Sequence, residues 1–339
     1  MKAIGLLEYL PIENENSLID IELPRPMPKG RDLLVKIHAI SVNPVDTKVR
    51  APKDKKEEEP KILGWDASGV VVEVGEDCTL FQPGDEVFYA GSITRPGTYS
   101  EYHVVDERIV GTKPKNLTHA QSAAIPLTAI TAWEGMFERL AIDFNNKEKN
   151  KSKNILIIGG AGGVGSIAIQ LAKWAGLNVI TTASRTETKD WVENLGADYV
   201  INHHKSFKEQ LSQIEIAEVD YIFCLNNTDQ HWNGMAEVIK PQGGICSIVE
   251  NEKPLALGLL KSKSATFVWE FMFTRPMYET EDMINQHLLL NQVSELLEQN
   301  IIKTTLNKTL SPIHAANIRK AHAMIETGST VGKIVLETF

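Results

Sequence analysis

The sequence predicts an α/β protein in which a doubly wound parallel sheet is joined to a β-rich domain. Three observations carry that expectation. The stretch Asn154–Gly165 reads Asn-Ile-Leu-Ile-Ile-Gly-Gly-Ala-Gly-Gly-Val-Gly, a strand-like apolar run that stops at glycines. From there to about Val249, short apolar runs alternate with helical patterns, as parallel strands linked by crossover helices do. Before residue 120 the chain instead shows short β-branched or aromatic segments parted by Pro and Gly turns, the spacing of a compact barrel.

The elements follow in order. Leu34–Ile40, Ser68–Val74, Glu86–Tyr89 and Tyr99–Val105 are the strands expected first, with turns at Pro28-Lys29-Gly30, Gln82-Pro83-Gly84-Asp85 and Arg95-Pro96-Gly97. The charged run Lys53–Glu59 reads as a solvated loop. From about Ile125 the character changes: a helix is expected over Thr131–Leu140 and a polar surface loop over Asn145–Lys153. Ile155–Ile158 has the length and β-branching of a buried parallel strand. Beyond the glycines, Ile167, Ala168, Leu171 and Ala175 recur on one helix face. Asn178–Ala183, Tyr199–Ile201, Val219–Cys224 and Gly244–Val249 bring the parallel strands to five. Ser206 and Glu209 have capping-box spacing, and Gly176 and Gly196 suit helix ends. Helices at Glu281–Gln299 and Ala315–Glu326 precede a last strand, Lys333–Glu337, able to return to the first sheet. The expected division is therefore 1–124 for the first part of the β-rich domain, 125–265 for the parallel sheet and 266–339 for the return.

Strand, glycine turn and helix, with the spacing Gly160-x-Gly162-x-x-Gly165, form the fingerprint of a dinucleotide site. The first glycine allows the tight turn, the second lets the backbone approach a pyrophosphate, and the third lets the helix pack closely. The anion would rest on free N–H groups at the helix start, where Gly163 and Val164 lie. The second strand ends in Ser184-Arg185-Thr186, with no acid before Glu187. A carboxylate there would hold the ribose hydroxyls of NADH and repel a 2′-phosphate, whereas a hydroxyl, a guanidinium and Lys189 favour the phosphate. NADPH is the expected cofactor. Ser184 also reads as a helix cap and Arg185 as a solvent-facing side chain. Leu225 and Asn226 follow the fourth strand, and Ile248 and Val249 end the fifth; cofactors lie at these carboxyl ends.

Bulk properties exclude other classes. The net charge is −9, with 35 basic and 44 acidic residues and no dense basic run, which argues against nucleic acid as a partner. Cys78, Cys224 and Cys246 lack CxxC spacing and fit thiols in a reducing compartment better than disulfides or a zinc site. No apolar run reaches the length of a membrane span, and Met1-Lys2-Ala3-Ile4-Gly5 lacks a signal-peptide core. A cytoplasmic location is expected, with no membrane partner.

Further motifs are Ser41-Val42-Asn43-Pro44-Val45-Asp46, Gly64-Trp65-Asp66-Ala67-Ser68-Gly69-Val70, Gly84-Asp85-Glu86-Val87, Gly97-Thr98-Tyr99-Ser100-Glu101-Tyr102, Pro126-Leu127-Thr128 and Gly332-Lys333-Ile334-Val335-Leu336. With them the chain resembles the medium-chain dehydrogenase/reductase superfamily, in particular its zinc-independent quinone oxidoreductase branch. The resemblance implies a GroES-like catalytic domain built from both chain ends, a Rossmann domain between them and an active-site cleft where they meet. It also implies a homodimer formed through the edge of the nucleotide sheet. Zinc-dependent relatives carry Cys at Asn43 and Gly-His-Glu at Gly64-Trp65-Asp66, and often four close cysteines around Gly91–Lys115, where this chain has none. Trp65 cannot ligate, Asn43 is a poor ligand and Asp66 offers one oxygen. No catalytic or structural zinc is expected. The pair His203-His204 reads as a loop after the third strand, with the neighbours pointing apart.

Without a metal to ionise an alcohol, the expected chemistry is hydride transfer from NADPH to a quinone or α,β-unsaturated carbonyl, whose oxygen takes up the charge. The resemblance places Asn43 and Asp46 near the nicotinamide, Asn43 as an amide donor and Asp46 as a catalytic group or a helix cap. It turns Thr131, with Thr128 a turn earlier, toward the nicotinamide ribose or diphosphate; both also read as capping residues. His203 falls where relatives place a Tyr near the 2′-phosphate, or is an exposed loop histidine. Lys333 reads as a surface charge or a ligand of the cofactor phosphate. Trp65, Tyr89, Trp269, Phe271 and Phe273 read as an acceptor pocket or as core. No tyrosine lies in Asp46–Ile62, where enoyl reductase relatives supply a proton donor. Two other readings stay open: a lyase or other non-redox enzyme on the same fold, and an NADPH-binding sensor without turnover.

Overall fold

Both ends of the chain build one sheet. In the computed structural model, which describes residues 1–339, the C-terminal strand runs antiparallel to an early one, with Ile334 opposite Val42 and Leu336 opposite Ile40. Two units result: Met1–Ile130 with Phe273–Phe339, and Thr131–Met272. The divisions fall several residues beyond positions 124 and 265, where the sequence character changes.

In the first unit, β1 (Lys2–Tyr9) pairs antiparallel with β2 (Ile19–Glu22). β3 (Asp32–Val42) is mostly buried and pairs with three other strands, so it acts as the spine. α1 (Pro44–Arg50) follows at once, with proline in its first turn, where a missing N–H costs no helical bond. β4 (Lys53–Ile62) pairs antiparallel with β1, which overturns the loop expected at Lys53–Glu59. Its charges lie along an edge, Lys56 pairing with Glu8 and Lys53 covering the Tyr9 ring at 3.9 Å. Charge of this kind keeps an edge strand from pairing with other chains. β5 (Asp66–Val74), β6 (Glu86–Ala90), β7 (Tyr102–Asp106) and β8 (Val110–Thr112) complete this part, followed by α2 (His119–Ala123) and α3 (Pro126–Trp133). The helix expected from Thr131 thus begins at Pro126, and it widens to π-helical turns over Glu134–Arg139.

The second unit alternates strictly. The elements are α4 (Lys147–Asn150), β9 (Asn154–Ile158), α5 (Gly163–Trp174), β10 (Asn178–Thr182), α6 (Thr186–Asn194), β11 (Tyr199–Ile201) and α7 (Phe207–Gln213). Then come β12 (Val219–Cys224), α8 (Thr228–Val238), β13 (Ile239–Ser247), α9 (Gly258–Lys261) and β14 (Thr266–Trp269). All six strands are parallel in the order β11-β10-β9-β12-β13-β14, so the order reverses beside β9. That reversal is the switch point where open α/β sheets bind ligands. The sixth strand, β14, exceeds the expected five; it is a short edge with no fully buried residue, so its sequence lacks the apolar run of a central strand. Gly176 and Gly196, with φ of +89° and +103°, close α5 and α6. Leu156, Ile158, Ile222 and Ile245 from the sheet pack against Leu211, Trp232 and Met235 from its helices.

The chain returns through α10 (Thr274–Tyr278), α11 (Asn285–Glu298), β15 (Leu306–Leu310), α12 (Ala315–Glu326) and β16 (Lys333–Glu337). Gly111 in β8 lets α11 pack closely, since a Cβ there would lie 2.6 Å from that of Leu290. No helix is long and apolar enough to cross a membrane.

Candidate functional site

The glycine loop is built for close approach. Gly159, at φ +92°, turns the chain out of β9, a role the sequence spacing assigns to Gly160. At Gly160 the missing Cβ instead makes room for the Thr181 hydroxyl, which donates to Ile157 O at 2.9 Å. Gly165 lets the helix seat, because a Cβ there would lie 2.6 Å from Gly160 Cα. Gly162 is the N-cap of α5, has no capping side chain, and would present a Cβ to nothing closer than 3.5 Å. The first-turn N–H groups, at Gly163 and Val164, therefore face an open approach, which suits an anion. These residues fit the pyrophosphate of a dinucleotide.

At the tip of β10, Ser184 is half-buried while Arg185, Glu187 and Lys189 are exposed. Arg185, not Ser184, is the N-cap of α6, and its N–H donates to the Thr188 hydroxyl at 3.2 Å. The Ser184 hydroxyl is thus not the helix cap that the sequence suggests. The His203 and His204 rings lie 4.1 Å apart, so the neighbours do not point away from each other. Burial, then the adjoining His204, lowers the pKa of His203. Leu225 follows β12, its N–H bonded to Ile158 O at 3.0 Å. Ile248 and Val249 follow β13. A cavity of about 700 Å³ opens there, with Asn226, Asn227, Gln230, Val249 and Glu250 on its wall.

In the first unit, the sites expected at Asn43 and Asp46 are buried polar networks. Lys333 is neither a surface charge nor directed to solvent: its side chain is 4% exposed and its Nζ lies 3.1 Å from Asp66 Oδ2. The same ammonium donates to Asn43 Oδ1 and to Val42 O. Asn43 Nδ2 donates to Asp66 Oδ2 at 2.8 Å and to Ser41 O at 3.4 Å. Asp66 Oδ1 accepts from Leu127 N at 2.8 Å, tying the start of α3 to the cluster. The Asn43 amide is therefore committed inward.

Asp46 caps α1, accepting the Asn43 N–H on Oδ2 at 2.8 Å. Tyr99 donates its hydroxyl to the same oxygen at 2.9 Å and meets His322 Nε2 at 3.0 Å. Gly64, at φ +82°, carries no Cβ because the Tyr99 ring occupies that place. Burial pushes the Asp46 pKa up to about 7, against the opposing pull of the Asn43 N–H, Tyr99 and Lys333. Burial, then Arg50, pushes His322 down to about 3. Sequence reasoning missed Tyr99 and His322, and no local signal marks them: only the fold sets the Tyr99 ring against Gly64 and its hydroxyl against His322.

Thr128 donates its hydroxyl back to Ile125 O at 2.9 Å, and Thr131 is buried. Trp65, Tyr89 and Phe273 are core rather than pocket: all are at most 2% exposed, and Trp65 Nε1 donates to Ser92 O at 2.9 Å. Trp269 and Phe271 are the exposed members of that set. A second buried acid went unnoticed in the sequence. Glu270 and Glu134 are both buried and bonded side chain to side chain, with Arg139 Nε 3.0 Å from Glu270 Oε2. Burial and the Glu134 carboxyl raise the Glu270 pKa.

Comparison with known proteins accords with this architecture. The profile described as Zinc-binding dehydrogenase matches residues 195–336, and that of the Alcohol dehydrogenase GroES-like domain matches residues 29–115. A zinc-type alcohol dehydrogenase-like protein of Staphylococcus epidermidis is 44% identical, covering 99% of each chain. A Rhizobium etli structure of the zinc-dependent alcohol dehydrogenase type is 50% identical, with TM-score 0.95 over 100% of this chain and 98% of its own. The Escherichia coli quinone oxidoreductase complexed with NADPH shares the fold, at 23% identity and TM-score 0.83 over 99% of this chain and 100% of its own.

Those names raise the question of zinc, and the donor set here does not fit it. Trp65 offers an N–H and no lone pair, and that N–H is used on Ser92 O. Asn43 and Asp66 already hold an ammonium, and a second cation beside Lys333 would be repelled.

Proposed function

The chain belongs to the zinc-type alcohol dehydrogenase-like proteins of the medium-chain dehydrogenase/reductase superfamily, a family of oxidoreductases, and from that premise we propose an NADPH-dependent reductase of quinones or α,β-unsaturated carbonyls that works without zinc. The observation that carries the reading is the Asn43–Asp66–Lys333 cluster, whose donors are spent on an internal ammonium. With no metal to ionise an alcohol, the favoured acceptor is one already electron-poor, where negative charge can settle on oxygen. Bound NADPH would supply the hydride. Gly162, Gly163 and Val164 would hold its pyrophosphate at the start of α5, and Ser184, Arg185 and Lys189 the 2′-phosphate, with His203 beside them. Thr131, Leu225, Asn226, Ile248 and Val249 would line the nucleotide. The E. coli protein's NADPH complex supports this choice of cofactor. The free edge of β14, with Trp269 43% exposed, supports a homodimer through the nucleotide sheet.

Titration of NADPH and NADH against wild type, Ser184→Ala and Arg185→Ala tests the phosphate site. NADPH binds more tightly to the wild type, and each substitution weakens NADPH about tenfold while leaving NADH nearly unchanged. Equal affinity of the wild type for both nucleotides overturns the choice of NADPH. Oxidation of NADPH by a panel of quinones and enones tests the reaction itself.

A further inference from the structure

The NADPH proposed above carries a 2′-phosphate that NADH lacks, and resting on that reading we propose that His203 grips this phosphate as an imidazolium, taking a proton from solvent when NADPH binds. The edge of the nucleotide sheet sets the geometry. β10 and β11 run parallel with Thr182 opposite Ile201, and the Ala183 N–H reaches Ile201 O at 3.0 Å. The two segments therefore leave the same carboxyl edge side by side, Ser184-Arg185 from one strand and Asn202-His203 from the other. In sheets of this kind the tip of the second strand reads the ribose 2′ position, and His203 stands at the tip of the strand next to it. His203 is half-buried rather than sealed, so solvent and a ligand can both reach it.

The ring has other histidines for neighbours and no acid. It lies 4.1 Å from the exposed His204 ring and 6.4 Å, edge to face, from His231 of α8, which is 4% exposed. His231 in turn stacks on Phe207 at the start of α7, 5.6 Å away. Burial, then His204, lowers the pKa of His203; burial, then His203 and His204, pushes His231 down to about 4. No carboxylate acts on either ring, and neither ring forms a hydrogen bond within the protein. From α6 the charged groups on this edge are Arg185, Glu187 and Lys189, all exposed. In the free protein at neutral pH, His203 and His231 are therefore neutral. A histidine that served only the fold would normally spend a ring nitrogen on a carbonyl or carboxylate.

A phosphate supplies the missing partner. Its second ionisation lies near pH 6, so at about pH 7 it arrives mostly as a dianion. Arg185 and Lys189 already place two positive charges on α6, which disfavour a third until an anion is present. The dianion removes that penalty and sets an opposite charge beside His203, so the His203 pKa rises in the complex. Binding then takes up one proton, and the affinity gained is lost as pH rises through the raised value. The 2′-hydroxyl of NADH brings no charge and draws no proton. His231, kept neutral by burial, adjoins the ring without competing for the proton.

The test is calorimetric titration of the full-length protein with NADPH and with NADH, at about pH 7, in buffers of different ionisation enthalpy. The dependence of the binding heat on the buffer counts protons exchanged. The sign is diagnostic, because a phosphate bound among cations without help from histidine is itself driven to lose protons. Wild type takes up about half a proton to one proton with NADPH and none with NADH. His203→Asn abolishes the uptake and weakens NADPH about tenfold, while NADH affinity stays within about twofold and shows that the variant is folded. The difference between wild type and His203→Asn shrinks as pH rises. A wild type that binds NADPH and NADH alike overturns the NADPH reading and this proposal with it. A wild type that prefers NADPH but releases protons or exchanges none, or an uptake that persists in His203→Asn, overturns the role of His203 alone.

Discussion

Replacing Lys333 with methionine keeps the stem and removes the charge, so it isolates what the ammonium does. At 3.1 Å and an effective dielectric of about 20, its attraction to Asp66 is about 5 kcal/mol. Removing one partner of a buried pair typically costs about 3–5 kcal/mol, because the other charge is stranded. Asp66 would retain the Asn43 Nδ2 and Leu127 N–H donors, which places the expected loss near 3 kcal/mol. Replacing both partners, in Lys333→Met with Asp66→Asn, removes the stranded charge and recovers most of that loss. The readout is denaturant titration combined with hydrogen exchange on peptides from β3, β5 and β16, since a chain of two units need not unfold in one step. A Lys333→Met loss below about 1 kcal/mol, or a double variant as unstable as the sum of the singles, would refute the coupling.

Two further predictions concern charge and metal. Glu270 holds its proton in the folded state above the pH at which the unfolded chain releases it, so the Glu134–Glu270 pair contributes stability at low pH that is lost as pH rises. Glu270→Gln, which keeps a donor toward Glu134, is expected to melt above wild type at about pH 8, with the gap closing toward pH 5; a gap independent of pH would contradict the shared proton. Prolonged chelation is expected to leave NADPH oxidation and the melting temperature unchanged, and added zinc to restore nothing. Activity lost to the chelator and regained with stoichiometric zinc would show that the Asn43–Asp66–Lys333 cluster is not what closes the site.

The parallel sheet was legible because burial on both faces writes itself as continuous apolar runs, as at Ile155–Ile158, and because Gly176 and Gly196 mark real left-handed helix ends. β14 was not, since an edge strand needs no such run. β4 was hidden for a related reason: the segment Lys-Asp-Lys-Lys-Glu-Glu-Glu pairs through its backbone, and its side chains report only the edge's exposure. In the candidate site, the glycine loop could be read locally, although the tight turn belongs to Gly159 rather than Gly160. Lys333 could not. Its partners Asn43 and Asp66 lie 290 and 267 positions away, and a lysine at the start of a strand looks solvent-facing until the register of β16 on β3 sets it against them. Tyr99 and His322 were invisible for the same cause, joined across 223 positions by tertiary packing alone.

The distances along the chain show how the first unit assembles its buried polar centre from distant segments. Asn43 is the N-cap of α1 and Asp46 lies in its first turn, Asp66 opens β5, Tyr99 lies before β7, His322 is on α12 and Lys333 opens β16. A metal site would gather such groups by coordination; here a lysine fixed by strand register does so. The substitution has a chemical consequence. A zinc ion polarises an oxygen it binds directly, whereas all of the Lys333 donors that the structure places are turned onto Val42 O, Asn43 and Asp66. Lys333 can therefore hold Asn43 and Asp66 in place, but it has no hydrogen left to give an acceptor. In the reduction proposed here, the charge that develops on the acceptor must therefore be neutralised by a group other than Lys333.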